Sequence, residues 1–105
     1  MTTTPTAIPT ESTARRRFLD RYVRREIGHV LGLAPHRIDT TGRTMYSLGI
    51  GSIAGLELQC RLEAGLGVAV DLQRLLRANS AAELIDCLTK QLAPAGGHAQ
   101  SAVTA

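Results

Sequence analysis

Between Thr13 and Leu31 the apolar side chains Phe18, Tyr22, Ile27, Val30 and Leu31 recur at roughly helical spacing, with arginines and acids at the positions between them. This pattern predicts a first helix over 13–31. It stops at GLAPHRID, where Gly32 suits a left-handed cap and Pro35 lacks an amide donor and turns Ala34 away from helical angles. From Leu33 to Gly51 follows a connection with no clear period, carrying Ile38, Met45, Tyr46 and Leu48. A connection this long is unusual in a compact domain unless it packs down, so these four side chains are expected to pin it to the helices.

Helical period returns in SIAGLELQCRLEA, which predicts a second helix over 52–64, stopped by Gly65 and Gly67. Gly55 inside it costs about 1 kcal/mol relative to Ala, which is equally compatible with close helix contact and with local flexibility. LQRLLRA predicts one or two helical turns. A last helix is predicted over Ala81–Leu92, with Asn79 or Ser80 as its cap, Glu83 at the capping partner's position, and Leu84, Ile85, Leu88 and Leu92 as its buried stripe. Beyond a brief Val68–Ala69–Val70 there is no alternating pattern. The prediction is all-α: a small bundle of three main helices and one short one.

Composition agrees. The chain has 105 residues, 44% of them hydrophobic, but only one Phe, two Tyr and no Trp, so a single core must be built from aliphatic side chains. Residues 1–12 are rich in Thr and Pro, and 93–105 are small and polar. Both are expected to be flexible tails around a domain at 13–92. No apolar run nears the roughly 18 residues that cross a bilayer, and the N-terminus lacks the order of a secretory signal. A cytoplasmic, monomeric protein is expected, and Met1 favours a free-standing one. Cys60, Cys87 and three scattered histidines show no metal-ligand spacing, so no metal is expected. The net charge of +3 is concentrated in Arg15, Arg16, Arg17, Arg21, Arg24 and Arg25.

Turned at 100° per residue, the second predicted helix places Leu58, Leu62 and Leu66 on one side with Gly55. Ile53, Leu56 and Cys60 fall nearly opposite, beside Glu57. This second stripe is either covered by the long connection, where Met45 and Tyr46 need burial, or left open as a partner-docking face. Ser52 stands at the N-terminal end of that face. As a residue it makes a good N-cap; as a hydroxyl beside unpaired amides and the positive end of a helix dipole it is well placed for a phosphate.

Three blocks in order, LGLAPHRID, YSLGIGSIAGLEL and ANSAAELIDCL, resemble the acyl carrier proteins of fatty-acid and polyketide synthesis, over about Ala14 to Leu92. The resemblance implies a four-helix carrier fold and no catalysis of its own. It implies a 4′-phosphopantetheine arm, donated by coenzyme A, on Ser52, with the acyl group held as a thioester on the arm. It further implies a docking face of Gly51, Ile53, Leu56, Glu57 and Cys60. The implied partners are a phosphopantetheinyl transferase, a ketosynthase, an acyltransferase and other synthase enzymes, with no nucleic acid and no membrane. Leu-Gly before the motif favours an acyl over a peptidyl carrier. Two departures stand out: Gly51 replaces the usual Asp, and the second helix has few acids within a basic chain. Both point to a dedicated partner set, as in specialised polyketide synthesis.

The rival readings have less behind them. GIGSIAG has the glycines of a dinucleotide loop but no βαβ unit around it, and Ile50 breaks a hydrolase-type G-x-S-x-G elbow. A basic nucleic-acid-binding helix would use Arg15–Arg25, yet these arginines point in several directions around the helix. An unmodified interaction domain of carrier fold follows if Gly51 marks a degenerate site.

Overall fold

The computed structural model describes residues 8–93. Five helices follow one another: α1 Ser12–Leu31, α2 Met45–Leu48, α3 Ser52–Leu66, α4 Leu72–Arg77 and α5 Ala81–Gln91, with a 3-10 turn at Pro35–Arg37. The three long helices, α1, α3 and α5, enclose an aliphatic core, as the composition requires. Leu19, Val23, Ile27, Leu58, Leu62, Leu75 and Ile85 are wholly buried in it.

Helix α1 begins one residue earlier than its pattern predicts, because the Glu11 carboxylate accepts from the amides of Thr13 and Ala14 at 3.1 and 2.8 Å. Those two bonds hold its carboxyl below the ordinary glutamate value. Ile8, inside the tail expected at 1–12, packs against the core. Of the tails expected at 1–12 and 93–105, residues 1–7 and 94–105 lie outside the described residues. The buried stripe of α1 is centred on Leu19 and Val23, with Phe18, Val30 and Leu31 only at its edge. Gly32 ends the helix with φ 72°, as its sequence predicts.

The connection after α1 is tied down at both ends. Arg24 donates to the Ile38 carbonyl at 2.8 Å and the Thr40 hydroxyl at 3.2 Å while paired with Asp20 at 2.6 Å, so the first half of the loop is strapped to α1. Thr40 in turn accepts at its carbonyl from the Ala82 amide at 2.7 Å, which links the loop to the start of α5. Asp39 accepts from Thr41 and Gly42 at 3.1 and 2.9 Å, a tight Asx turn that lowers its carboxyl below the ordinary aspartate value. The second half forms α2, a single turn too short to show a period. Thr44 caps it through the Ser47 amide at 3.0 Å, and it is closed by Gly49 at φ 112°, where any side chain would be strained.

Helix α3 runs antiparallel to α1. Leu31 lies against Gly49 just before α3, Glu26 pairs with Arg61 at 2.6 Å midway, and Tyr22 presses its hydroxyl onto Gly65 near the far end. Gly65 therefore does not stop the helix, contrary to its sequence reading. It is the close-approach site for Tyr22, and Gly67, at φ 70°, is the cap. Gly55 is a second close approach: a methyl there would stand 2.6 Å from the Leu76 Cδ2 of α4.

Helix α5 starts as its sequence predicts. Ser80 accepts from the Glu83 amide at 3.2 Å, and the Glu83 carboxylate reaches back to the Asn79 amide at 2.7 Å. Leu84, Ile85 and Leu88 are buried and Leu92 packs at the edge. No described helix is long and apolar enough to cross a membrane.

Candidate functional site

The site is built outward from the turn Gly49–Gly51. Ile50 is wholly buried and its amide donates to the Met45 carbonyl at 3.0 Å, so the backbone between α2 and α3 is nailed to the core one residue before Gly51. Met45, also wholly buried, anchors the other side of the turn. With both anchors inside, Ser52 has to emerge on the surface, and its side chain is exposed.

Gly51, not Ser52, is the N-cap of α3. Its φ of −89° and ψ of −162° are extended, and having no side chain it supplies no capping bond. Ser52 is the first helical residue, so the capping role open to it in the sequence is not the one it fills. Among the described residues its hydroxyl has no hydrogen-bond partner, and the amides of Ser52, Ile53 and Ala54 meet no acceptor. Three free N–H groups at the positive end of a four-turn helix, beside an unengaged hydroxyl, form a setting that favours a phosphate ester at that oxygen.

Along α3 the two stripes separate as the helical wheel predicts. Gly55, Leu58, Leu62 and Leu66 are buried, whereas Ile53 is 87% exposed, Leu56 51%, and Glu57 and Cys60 are exposed beside them. The connection does not cover this second stripe. Met45 goes into the core instead, and Tyr46 is left 78% exposed on α2. Tyr46 is thus the large exposed side chain the sequence reading assigned to burial. The signal that separates it from Met45 is its position one residue along a single turn whose other anchor, Ile50, faces inward.

The ionic side chains of α3 are mostly engaged in structure. Arg61 bonds Glu26, and Glu63 accepts from the Val70 amide at 2.8 Å, which leaves Glu57 as the free carboxylate on the open face. No group of three or more metal-ligating side chains occurs among the described residues. The six clustered arginines of α1 divide: Arg15 is buried on the carbonyls of Thr10 and Thr89, Arg24 holds the loop, Arg25 lies over the Tyr22 ring, and Arg16, Arg17 and Arg21 line a groove against α5.

No curated protein and no solved structure matches the chain significantly. The family model described as the phosphopantetheine attachment site does match, over residues 21–88, roughly two thirds of the chain. That span runs from the middle of α1 into the last turn of α5, taking in the turn, the exposed hydroxyl and the open face of α3. A helical bundle with an uncapped helix start fits a covalently bound phosphate, and on the family match the chain belongs to the phosphopantetheine attachment site family, whose members are carriers of covalent 4′-phosphopantetheine.

Proposed function

We propose that Ser52 bears the 4′-phosphopantetheine arm and that Ile53, Leu56, Glu57 and Cys60, with Gly51 at their head, form the face on which partner enzymes dock. The observation that carries this is the exposed, unbonded Ser52 hydroxyl at the first position of α3, flanked by three free amides and continuous with an apolar stripe left uncovered. When bound, the arm supplies a terminal thiol on which acyl groups travel as thioesters. The protein's own residues perform no bond chemistry on them. Ser52 offers its oxygen to the transferase, the free amides stabilise the phosphate beside it, and Ile53 and Leu56 give up water to a partner surface.

The partner set is that of a dedicated pathway, specialised polyketide assembly: a transferase, a ketosynthase and an acyltransferase. Two features support it. The open face presents Glu57 alone where an acidic helix would suit general fatty-acid enzymes, and Gly51 leaves the N-cap without a carboxylate. The test is intact mass after incubation with coenzyme A and a phosphopantetheinyl transferase, first a broad-specificity enzyme and then one from the native pathway. One added arm that vanishes in Ser52→Ala is the expected result. Addition that persists in Ser52→Ala moves the site elsewhere, and no addition with either enzyme makes the chain an unmodified interaction domain.

A further inference from the structure

We propose that the groove between the N-terminal half of α1 and the C-terminal half of α5 is a second docking surface, and that its occupant is an acidic peptide segment of a partner protein. The groove encloses about 540 Å³ and its charged lining is Arg16, Arg17, Asp20, Arg21, Asp86 and Lys90.

Three arginines of α1 are directed away from the groove. Arg15 is buried, Arg24 straps the loop, and Arg25 lies 5.2 Å over the Tyr22 ring and 3.8 Å from Glu26. Arg16 pairs with Asp86 across the groove. Arg17 and Arg21 are left, exposed and without an ion-pair or side-chain hydrogen-bond partner among the described residues, and Lys90 on α5 is in the same condition. Both carboxylates of the groove are already engaged, Asp86 by Arg16 and Asp20 by Arg24. Three cations without an ion-pair partner therefore share one concave surface, where low-dielectric walls focus their field. The Glu11 carboxylate, whose field reaches Arg17, is held by the Thr13 and Ala14 amides, and an anionic occupant relieves the repulsion that remains among the three.

Spacing identifies the occupant. Arg17 and Arg21 are one helical turn apart on one face, so their side chains leave α1 about 6 Å apart. Acidic residues one turn apart on a docked helix present carboxylates at the same interval. A nucleic acid fits less well, because no aromatic side chain lines the groove for base stacking. Residues 1–7 and 94–105 contain no Asp or Glu.

Position gives the surface its use. Because α1 and α3 are antiparallel, Ser52 lies beside the C-terminal end of α1, whereas Arg17 is roughly 20 Å away along that helix at about 1.5 Å per residue. A segment seated in the groove leaves Ile53 and Leu56 open. On the carrier reading, it would hold the protein in its assembly at one pole while the other pole visits successive enzymes, which raises the effective concentration at each. The groove itself does not depend on that reading.

The test is a chemical-shift titration of the ¹⁵N-labelled full chain, at low ionic strength, with an end-capped helical peptide of Glu, Leu and Ala whose glutamates lie one turn apart. Saturable shifts are expected in the first half of α1 and the last half of α5, with the amides from Ser52 to Cys60 unmoved. Arg17→Glu/Arg21→Glu should weaken binding by roughly tenfold or more, and the milder Arg17→Gln/Arg21→Gln by less, with circular dichroism unchanged. No saturable shifts, shifts centred on α3, or equal binding by the reversed variant would overturn the proposal. Tighter binding of a single-stranded oligonucleotide at the same amides would overturn the choice of a peptide. Transfer of the arm to Ser52 in the reversed variant, read by mass, reports on the carrier reading separately.

Discussion

Restoring a carboxylate at residue 51 tests the local physics of the site. Gly51 is the N-cap of α3, its backbone angles are open to any residue, and a Cβ built there meets no heavy atom within 4 Å. Gly51→Asp therefore introduces no clash, and its carboxylate can accept from the free amide of Ile53 or Ala54. Asp exceeds Gly as a cap by a few tenths of a kcal/mol, a difference that already includes the loss of glycine's freedom in the unfolded chain, and a negative charge at a helix start brings the gain to about 1 kcal/mol at most. For a domain of this size that raises Tm by roughly 2–6 °C at neutral pH. The charge-dependent part carries a sign. A carboxylate whose folded pKa is depressed stabilises above its ordinary value near 3.9, and the gain disappears as pH falls through the folded value, so the Tm advantage should shrink in acid. Differential scanning calorimetry of the unmodified protein and the variant, at pH 7 and in acid, measures both. An unchanged or lowered Tm at pH 7 would refute the assignment of Gly51 as an open, uncapped N-cap. The same variant separates stability from recognition: faster modification by a broad-specificity transferase is expected if that enzyme reads the carboxylate, and a raised Tm with an unchanged rate shows that it does not.

Leu56→Glu should abolish most acyl transfer to a partner synthase while changing stability by no more than about 0.5 kcal/mol, as for an exposed substitution; a large loss of stability by thermal circular dichroism would show that Leu56 belongs to the core. Gly65→Ala places a methyl on the Tyr22 hydroxyl, so it should destabilise despite the helix propensity it gains, the overlap costing about 1–3 kcal/mol. Tyr22→Phe should recover part of that loss in a double-mutant cycle by urea unfolding, and strict additivity would contradict the contact. Glu11 and Asp39 both have carboxyl groups lowered by backbone amides, so their contribution is present above the ordinary carboxylate values and lost as pH falls through the folded ones. Glu11→Gln and Asp39→Asn should accordingly flatten the acid limb of a Tm against pH curve, and an acid limb identical to the parent's would count against these two caps.

Part of this protein is determined locally and is legible in the order of its residues. The ends of α1 and α5 follow from Gly32, Ser80 and Glu83, whose effects reach only a few residues along the chain. The core face of α3 follows from a period of 3.6, which needs no knowledge of what packs against it. So does the opposition of Ile53 and Leu56 to that face. What the sequence alone left open was whether the second face is covered, because covering is a relation between segments distant along the chain. Tertiary structure decides it: Met45 and Ile50 take the interior sites on either side of a single helical turn, and with both inside, Tyr46, Ser52 and Ile53 are left in solvent. Gly65 shows the same division. As a letter it is a helix stop, but the Tyr22 hydroxyl lying on it from α1, more than forty positions earlier, makes it an interior residue of α3 with no room for a side chain. The arginines of α1 divide in the same way. Their number and charge are fixed by the chain, but which of them are engaged and which converge with Lys90 depends on where α5 and the loop come to rest, since an ion pair forms only between groups the fold has brought within a few ångströms.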